Sequence, residues 1–487
     1  GRGFARVSQR DPRYFEFDDG SFFFPVGQNV AWADDMGSVN FALYMANMEK
    51  SGANWARVWL APYFKGQTIE WSWNAKQPYY HGLGFYSAEV AWKLDQMLET
   101  AAEHGVYLMW CIQQHGQFST RYNSCWDENP YNRAAGGFLE KPKQFFLHPR
   151  ARELFKKRMR YYIARYGHSP HLFAWELWNE VALTDGFSDP VVTAWHKDMG
   201  EYVKQLDPTG RMVTTSYGSR FYRGAFDLDS HDFAQTHIYH VDSTEFTAWW
   251  LRSIEGQMED IGRHKSAGKP ILIGEYGLGH DPKYAWIDED STWPVDPRGL
   301  HVHNSLWIGL LSGSAGTAMN WWWDKYIDKN NLYFHFKGIS RFIAGEDLRR
   351  WNLKQAKLFD DSYYTPKFIA YVLLGPDRAY GWVFETAYTI KEFAPTGLAR
   401  ENVKITLDEL NDGDCWIEFW DTYDGVALSR IKGEVEDGGI EFRVPAFRGD
   451  IAFKLFRGEP KANIETTTPE HDRMIEELKR LAERFGR

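Results

Sequence analysis

Three features of the sequence predict an α/β fold: a (β/α)8 TIM barrel over residues 1–375, a C-terminal antiparallel β-sandwich domain over 376–460 and an amphipathic helix over 461–487. From about residue 14 to 375, eight short β-rich runs end in polar or aromatic residues, with helical patterns between them. These runs are nearly continuously apolar, as strands buried on both faces of a parallel sheet are. After residue 376 the pattern changes to short strands separated by turn signals such as "EDGG", the mark of a small antiparallel sandwich.

The elements follow in order. "YFEFDDGSFFFPVGQNVAW" reads as a hairpin turning at Asp19-Gly20 and then a first strand ending near Gln28-Asn29. "VNFALYMANMEKSG" is helical and stops at Gly52. "NWARVWLAP" is strand two, ended by Pro62. A helix capped by Ser87 and closed by Gly105 leads to strand three, "VYLMWCIQQHG". A helix near 149–166 precedes strand four, "LFAWELWNE", and a helix near 190–206 precedes strand five, "RMVTTSY". Strand six is "FAQTHIYH", strand seven "KPILIGEYG" and strand eight lies in "TAMNWWWDKY"; helices near 245–267 and 299–312 separate them. Eight βα units over roughly 350 residues suit a barrel with long loops. A doubly wound open sheet is the alternative, but its phosphate-binding fingerprints are absent, and "GRHKSAGKP" has the wrong spacing for a P-loop. The tail sets Ile475, Leu478, Ala482 and Phe485 on one face and charges on the other.

Bulk composition narrows the function. The net charge of −10 argues against a general nucleic-acid partner. No apolar run approaches the roughly 18–20 residues that span a bilayer, so no membrane partner is expected. Aromatic residues make up 17% of the chain, with 23 Trp, more than cores alone require. Exposed rings stack on sugar faces or bases, and the acidic balance favours sugars. Cys111, Cys125 and Cys415 show no metal-ligand spacing and read as buried or idle thiols. The chain opens on "GRGFARV", without initiator Met or signal peptide; the compartment is not legible from this end, and secretion after removal of a leader is compatible.

On a barrel, functional side chains come from the C-terminal ends of the strands. Those positions hold Arg57 on strand two, His115 on three, Asn179 and Glu180 on four, His237 and Tyr239 on six, Glu275 on seven and the tryptophans of eight, Trp321 and Trp323 sharing a face. Carboxylates that follow apolar strand residues are costly unless paired or used. Strands four and seven lie on opposite sides of an eight-stranded barrel, so Glu180 and Glu275 face each other across its mouth. Two facing carboxyls are the arrangement that cleaves glycosidic bonds. One must be a protonated acid and the other ionised, held so by Arg57 or a tyrosine hydroxyl.

"WNE" on strand four, "HIY" on strand six and "GEYG" on strand seven resemble clan A of the glycoside hydrolases, most closely family 5, the cellulase and mannanase type. The resemblance covers about residues 14–375, and the opening "DGSFFFPVGQN" is also similar to this clan's entry. It implies cleavage of a β-linked carbohydrate by double displacement with retained configuration, and no metal or other cofactor. It further implies that Glu180 is the acid/base and Glu275 the nucleophile. Arg57, His115, Asn179, His237, Tyr239 and a strand-eight tryptophan, Trp321 in preference to Trp323, would support them; the Tyr239 hydroxyl would bond the nucleophile. Retention requires carboxyls about 5 Å apart.

Several other positions carry expectations. Trp71, Trp73, Tyr79 and Tyr80 follow strand two in a Gly-rich stretch and are candidate sugar platforms. Asp34 and Asp35 would bind sugar hydroxyls or cap the next helix. The acidic loop after strand seven would close over the cleft. Three rival readings are weaker. "HVH" at 301–303 with "HIYH" at 237–240 suggests a metal-dependent barrel hydrolase, but no further residue completes a ligand set. A non-catalytic carbohydrate-binding barrel would have lost a carboxylate, and both are present. An adhesion role for the sandwich would need exposed aromatics, of which its sequence offers few obvious ones.

Overall fold

The computed structural model describes residues 1–33, 38–63, 67–71, 82–218, 222–240, 256, 259–262, 268–278, 296–359, 367–386 and 401–460. These fall into two compact units. The first comprises residues 1–238, 260–276 and 318–324, and the second the remaining described residues.

The first unit opens with three short antiparallel strands, β1 (Ala5–Val7), β2 (Phe15–Phe17) and β3 (Phe22–Phe23). Their rings meet the starts of the barrel strands: Phe15 lies 5.1 Å from Phe173 and 5.5 Å from Phe233, and Phe17 lies 5.2 Å from Tyr107. The hairpin therefore plugs the N-terminal end of the barrel. Five parallel strands follow in sequence order: β4 (Gly27–Asn29), β5 (Trp55–Trp59), β6 (Tyr107–Cys111), β7 (Leu172–Glu176) and β8 (Met212–Thr214). Every residue of β5 and β7 is buried, which is why these runs read as unbroken apolar stretches. Between them run α1 (Ser38–Lys50), α2 (Ala88–Glu103), α3 (Pro149–Tyr166) and α4 (Asp189–Leu206). Ser87 caps α2 by accepting from the Val90 amide at 3.2 Å.

The ring then closes. The Asp232 amide donates to the Val213 carbonyl at 2.8 Å, joining β8 to the segment that becomes β9 (Ala234–His240). β9 pairs with β10 (Ile271–Leu278). Asn320 makes parallel bridges to both Tyr276 and Gln28, so strand position eight connects β10 back to β4. Strand eight is thus reduced to a bridge, where the sequence suggests a run through Trp323. Trp322 takes a left-handed φ of 63°, and a π-helical turn occupies Trp323–Asp328; backbone of that hand cannot continue a ladder.

The second unit contains α5 (Leu300–Leu311), α6 (Phe334–Ile343) and a six-stranded antiparallel sheet. Its strands are β11 (Lys354–Phe359), β12 (Phe368–Gly375), β13 (Arg378–Glu385), β15 (Gly413–Trp420), β16 (Ala427–Val435) and β18 (Asp450–Phe456), in the order β11-β12-β13-β18-β15-β16. A ribbon of β14 (Lys404–Leu407) and β17 (Ile440–Arg443) turns Ile405, Leu407, Ile440 and Phe442 into the core they share with Val383, Ile417, Phe419 and Phe453. The antiparallel structure begins at Lys354, earlier than the expected boundary at 376. Pro376-Asp377 is the two-residue turn between β12 and β13, which pair from Gly375 and Arg378 outward. A turn inside the sheet therefore looks like a change of domain in sequence. The three cysteines are free and buried. The expected helix over 461–487 lies outside the described residues.

Candidate active site

The polypeptide that carries Asn179 and Glu180 leaves the ladder of β7 at Glu176 but stays stitched to its neighbours. The Leu177 amide donates to Thr214, the Asn179 amide to Gln113 and the Ser216 amide to Trp178, at 2.8–2.9 Å. The Glu180 backbone is left-handed, φ 50° and ψ 50°, a conformation that is strained for glutamate. Its amide donates to Ser216 Oγ at 3.0 Å and the Val181 amide to the Ser216 carbonyl at 3.0 Å, and these bonds hold the strain. Gly218, with φ +66°, lies opposite; a Cβ there would come within 2.8 Å of Glu180 Cβ. Only glycine leaves room for the acid side chain.

Arg57 at the end of β5 is fully buried and uses all five N–H donors. Nε and Nη2 donate to Glu176 Oε2 and Oε1 at 2.7 and 2.8 Å, and Nη1 to Glu275 Oε1 at 2.7 Å and Asn29 Oδ1 at 3.1 Å. Nη2 also donates to Asn179 Oδ1 at 2.6 Å. Burial pushes the guanidinium's pKa down, but the carboxylates of Glu176 and Glu275 more than offset this and hold it well above its ordinary value. Asn29, on β4, anchors this side by donating to the Gly274 and Met319 carbonyls at 3.1 and 2.9 Å.

Because the Asn179 oxygen faces Arg57, its nitrogen faces His115, with 3.2 Å between Nδ2 and His115 Nδ1. His115 Nε2 donates to Asn123 Oδ1 at 2.9 Å, which leaves Nδ1 as the acceptor in the neutral ring. The same Nδ1 lies 3.3 Å from Glu180 Oε2. From β9, His237 Nδ1 reaches Glu180 Oε1 at 2.9 Å and Glu275 Oε2 at 3.5 Å. One ligand-type atom each of Glu180, His237 and Glu275 lies within 4.8 Å of the other two, so an oxygen of one carboxylate is that close to an oxygen of the other. Burial raises the Glu180 carboxyl, but the His237 hydrogen bond and charge, with the Arg57 charge further off, bring it down to about 2. It therefore stands as a carboxylate in this arrangement.

An aromatic wall stands beside the carboxylates. Trp321 is 7% exposed and lies 5.1 Å from Trp59, whose ring is 6.2 Å from His115. Trp32 lies 5.7 Å from Trp321 and 4.9 Å from Trp323. Trp323 is 1% exposed and fills core.

Seven of the nine sequence-derived residues, Arg57, His115, Asn179, Glu180, His237, Glu275 and Trp321, come together. Tyr239 lies two residues beyond His237 in β9 and so shares its strand face, half-buried. Trp323 is buried against both Trp32 and Trp321, at 4.9 and 5.1 Å. Trp71 is buried rather than exposed as a platform; Trp73, Tyr79, Tyr80, Asp34, Asp35 and the loop after β10 up to residue 295 lie outside the described residues. His301 and His303 sit within α5 in the second unit. There His301 bonds Asp296 at 2.7 Å and His303 bonds Asp450 at 2.9 Å. Among the described residues, the one His/Asp/Glu/Cys group with ligand spacing is the Glu180, His237, Glu275 trio. Sequence reading missed Glu176, Asn29 and Ser216. The signal for Glu176 was present, a charge inside an otherwise apolar strand.

Comparison with known proteins points the same way. The chain is 26% identical over 351 residues to "Probable mannan endo-1,4-beta-mannosidase F" of Aspergillus flavus, covering 65% of this chain and 66% of that protein. It is 26% identical over 325 residues to mannan endo-1,4-beta-mannosidase 4 of Oryza sativa subsp. japonica, covering 57% and 64%. The chain thus spans just under two-thirds of these curated relatives. No family model matches it. Among solved structures, one described as a glycoside hydrolase superposes with a TM-score of 0.62 at 15% identity, over 94% of this chain and 98% of that one. A glycoside hydrolase family 5 structure from Bacteroides vulgatus gives 0.59 at 14% identity, over 95% and 97%. The endo-β-1,4-mannanase of Thermotoga petrophila gives 0.52 at 16%, over 89% and 98%. The resemblance read from the sequence motifs is borne out, and the structural likeness carries the fold.

Proposed function

We propose that the protein is a retaining β-glycoside hydrolase acting on plant-type polysaccharides, with β-1,4-linked mannan as the first substrate to test. The observation that carries the reaction type is the spacing of Glu180 and Glu275, with oxygens within 4.8 Å. That suits direct attack by a carboxylate and falls short of the roughly 6.5–9.5 Å spacing that inversion uses. The mannan assignment rests on the names of the sequence relatives. The two-stranded ribbon covering the six-stranded sheet supports reading the C-terminal part as an accessory β-sandwich.

Glu275, oriented by Arg57, attacks the anomeric carbon. Glu180 protonates the departing oxygen, then activates water to cleave the ester. The Glu275 charge beside Glu180, together with water displaced by the sugar, favours the protonated acid for the first step. Once Glu275 is esterified that charge is gone. The His237 hydrogen bond then holds Glu180 as the carboxylate that the second step requires. Asn179 Nδ2, aimed by its bonds to Arg57 and His115, donates to the hydroxyl next to the anomeric carbon. Trp321 walls the sugar site.

The test is a hydrolysis screen across β-mannans, β-glucans, xylans, xyloglucan and aryl β-glycosides, with Glu275→Gln run in parallel. Activity on β-mannan that the variant loses supports the reading. Activity confined to another β-glycan corrects the substrate. Wild-type binding without turnover on any of them overturns the enzyme reading in favour of a carbohydrate-binding barrel.

A further inference from the structure

The mouth holds a third carboxylate that a two-carboxylate mechanism leaves without a task. Glu176 is fully buried, takes a bidentate pair of hydrogen bonds from Arg57 and a third from Ser216 Oγ at 3.0 Å. Arg57 is also fully buried and spends its remaining donors on Asn29, Asn179 and Glu275. One guanidinium thus faces two carboxylates, an excess that pairing alone does not require.

The excess gains a purpose when the reaction is followed through. As Glu275 attacks, a C–O ester bond forms and the glycosidic C–O bond breaks. The electron pair of that bond leaves with the aglycone oxygen, which takes the Glu180 proton. Glu275 loses its negative charge in the same step. With Glu176 in place, Arg57 remains paired. Without it, the ester would leave the buried guanidinium with no carboxylate on its N–H groups, because the Glu180 carboxylate formed in the same step takes none of Arg57's five donors.

We propose that Glu176 is the standing counter-ion of Arg57, a positioning residue that lets Glu275 surrender its charge. The inference rests on the reading of Glu275 as nucleophile. It has a second consequence: Glu176 contributes negative charge near Glu180 and keeps the acid protonated to higher pH. The connection is physical as well as electrostatic, since the Ser216 hydroxyl that donates to Glu176 accepts the backbone amide of Glu180.

Glu176→Gln keeps the shape and removes the charge. Expected are a fall in kcat/KM of about a hundred-fold and an alkaline limb of the kcat/KM profile displaced to lower pH by about one pH unit. The rate should also depend on the leaving group even for activated aryl glycosides, because ester formation becomes limiting. Ground-state binding of an oligosaccharide, compared between Glu275→Gln and the double variant Glu275→Gln/Glu176→Gln, should change by no more than about three-fold. A merely structural role would weaken binding and leave the limb in place, and that result overturns the proposal. So does a Glu176→Gln enzyme with unaltered rate and profile. Should Glu176→Gln fail to fold, Glu176→Asp keeps the charge on a shorter arm; its rate should fall with the alkaline limb unmoved, and a displaced limb is the contrary result. A wild type inactive on every β-glycan removes the nucleophile reading itself, whereas an active wild type with an unaltered Glu176→Gln removes this inference alone.

Discussion

The two units each bury histidines against carboxylates, yet they use them differently. In the second unit Asp450 receives three donors: His303 Nε2 at 2.9 Å, Trp382 Nε1 at 2.6 Å and Thr422 Oγ1 at 2.7 Å. His335 donates from Nε2 to the Arg298 carbonyl at 2.7 Å, so its Nδ1 accepts from His303 Nδ1 at 3.3 Å. Burial and the neighbouring His303 push His335 down to about 3, which keeps it the neutral acceptor this chain needs. His303 therefore donates through both nitrogens, one to Asp450 and one to His335. At the mouth of the first unit, by contrast, carboxylates outnumber the guanidinium, His237 Nδ1 stands between two of them, and Glu180 is held in a left-handed backbone. Identical residue types give structure in the Asp450 network, where the His303 and His335 N–H groups each meet an acceptor. They give chemistry where charge is in excess and proton positions can change.

Substitutions can break this contrast. The largest effect is expected for Glu275→Gln, with kcat/KM lower by about four orders of magnitude or more and unchanged unfolding; a steady-state assay with a thermal melt checks both. Glu180→Gln should cost about a thousand-fold on a natural glycan. The cost should be far smaller on an aryl glycoside whose leaving group needs no proton, as a paired assay would reveal. Asp450→Asn should reverse the balance, leaving kcat/KM within about two-fold while lowering stability by roughly 3 kcal/mol in urea unfolding, because His303 loses its counter-charge. A large rate loss there would erase the distinction between the two networks.

The smallest effect depends on pH. Burial raises the Asp296 carboxyl, but the His301 hydrogen bond and charge bring it down to about 2. A depressed carboxyl contributes stability above its unfolded pKa and loses it as pH falls through the folded one. Asp296→Asn should therefore cost about 2 kcal/mol at pH 6, and the gap to wild type should close between pH 4 and 2. Urea melts across that range check the sign; a gap that widens with acid would contradict it.

Much of the mouth was legible because polar residues at the ends of apolar strands carry a desolvation cost that demands a use. That logic located Arg57, His115, Asn179, Glu180, His237 and Glu275 together. It passed over Glu176, which lies inside the run, although period-two alternation puts it on the same strand face as Ala174. It ranked Trp321 ahead of Trp323 without showing why, since a strand pattern hides the π-helical turn that begins at Trp323. Hairpin turns and domain linkers share the same residues, so Pro376-Asp377 misplaced the start of the antiparallel sheet.

Proton NMR of the first product formed from a β-1,4-mannooligosaccharide tests the central claim most directly. Retention, with the β-anomer appearing first and the α-anomer growing in only by mutarotation, is the predicted result. An α-anomer appearing first would mean that Glu275 is not the nucleophile.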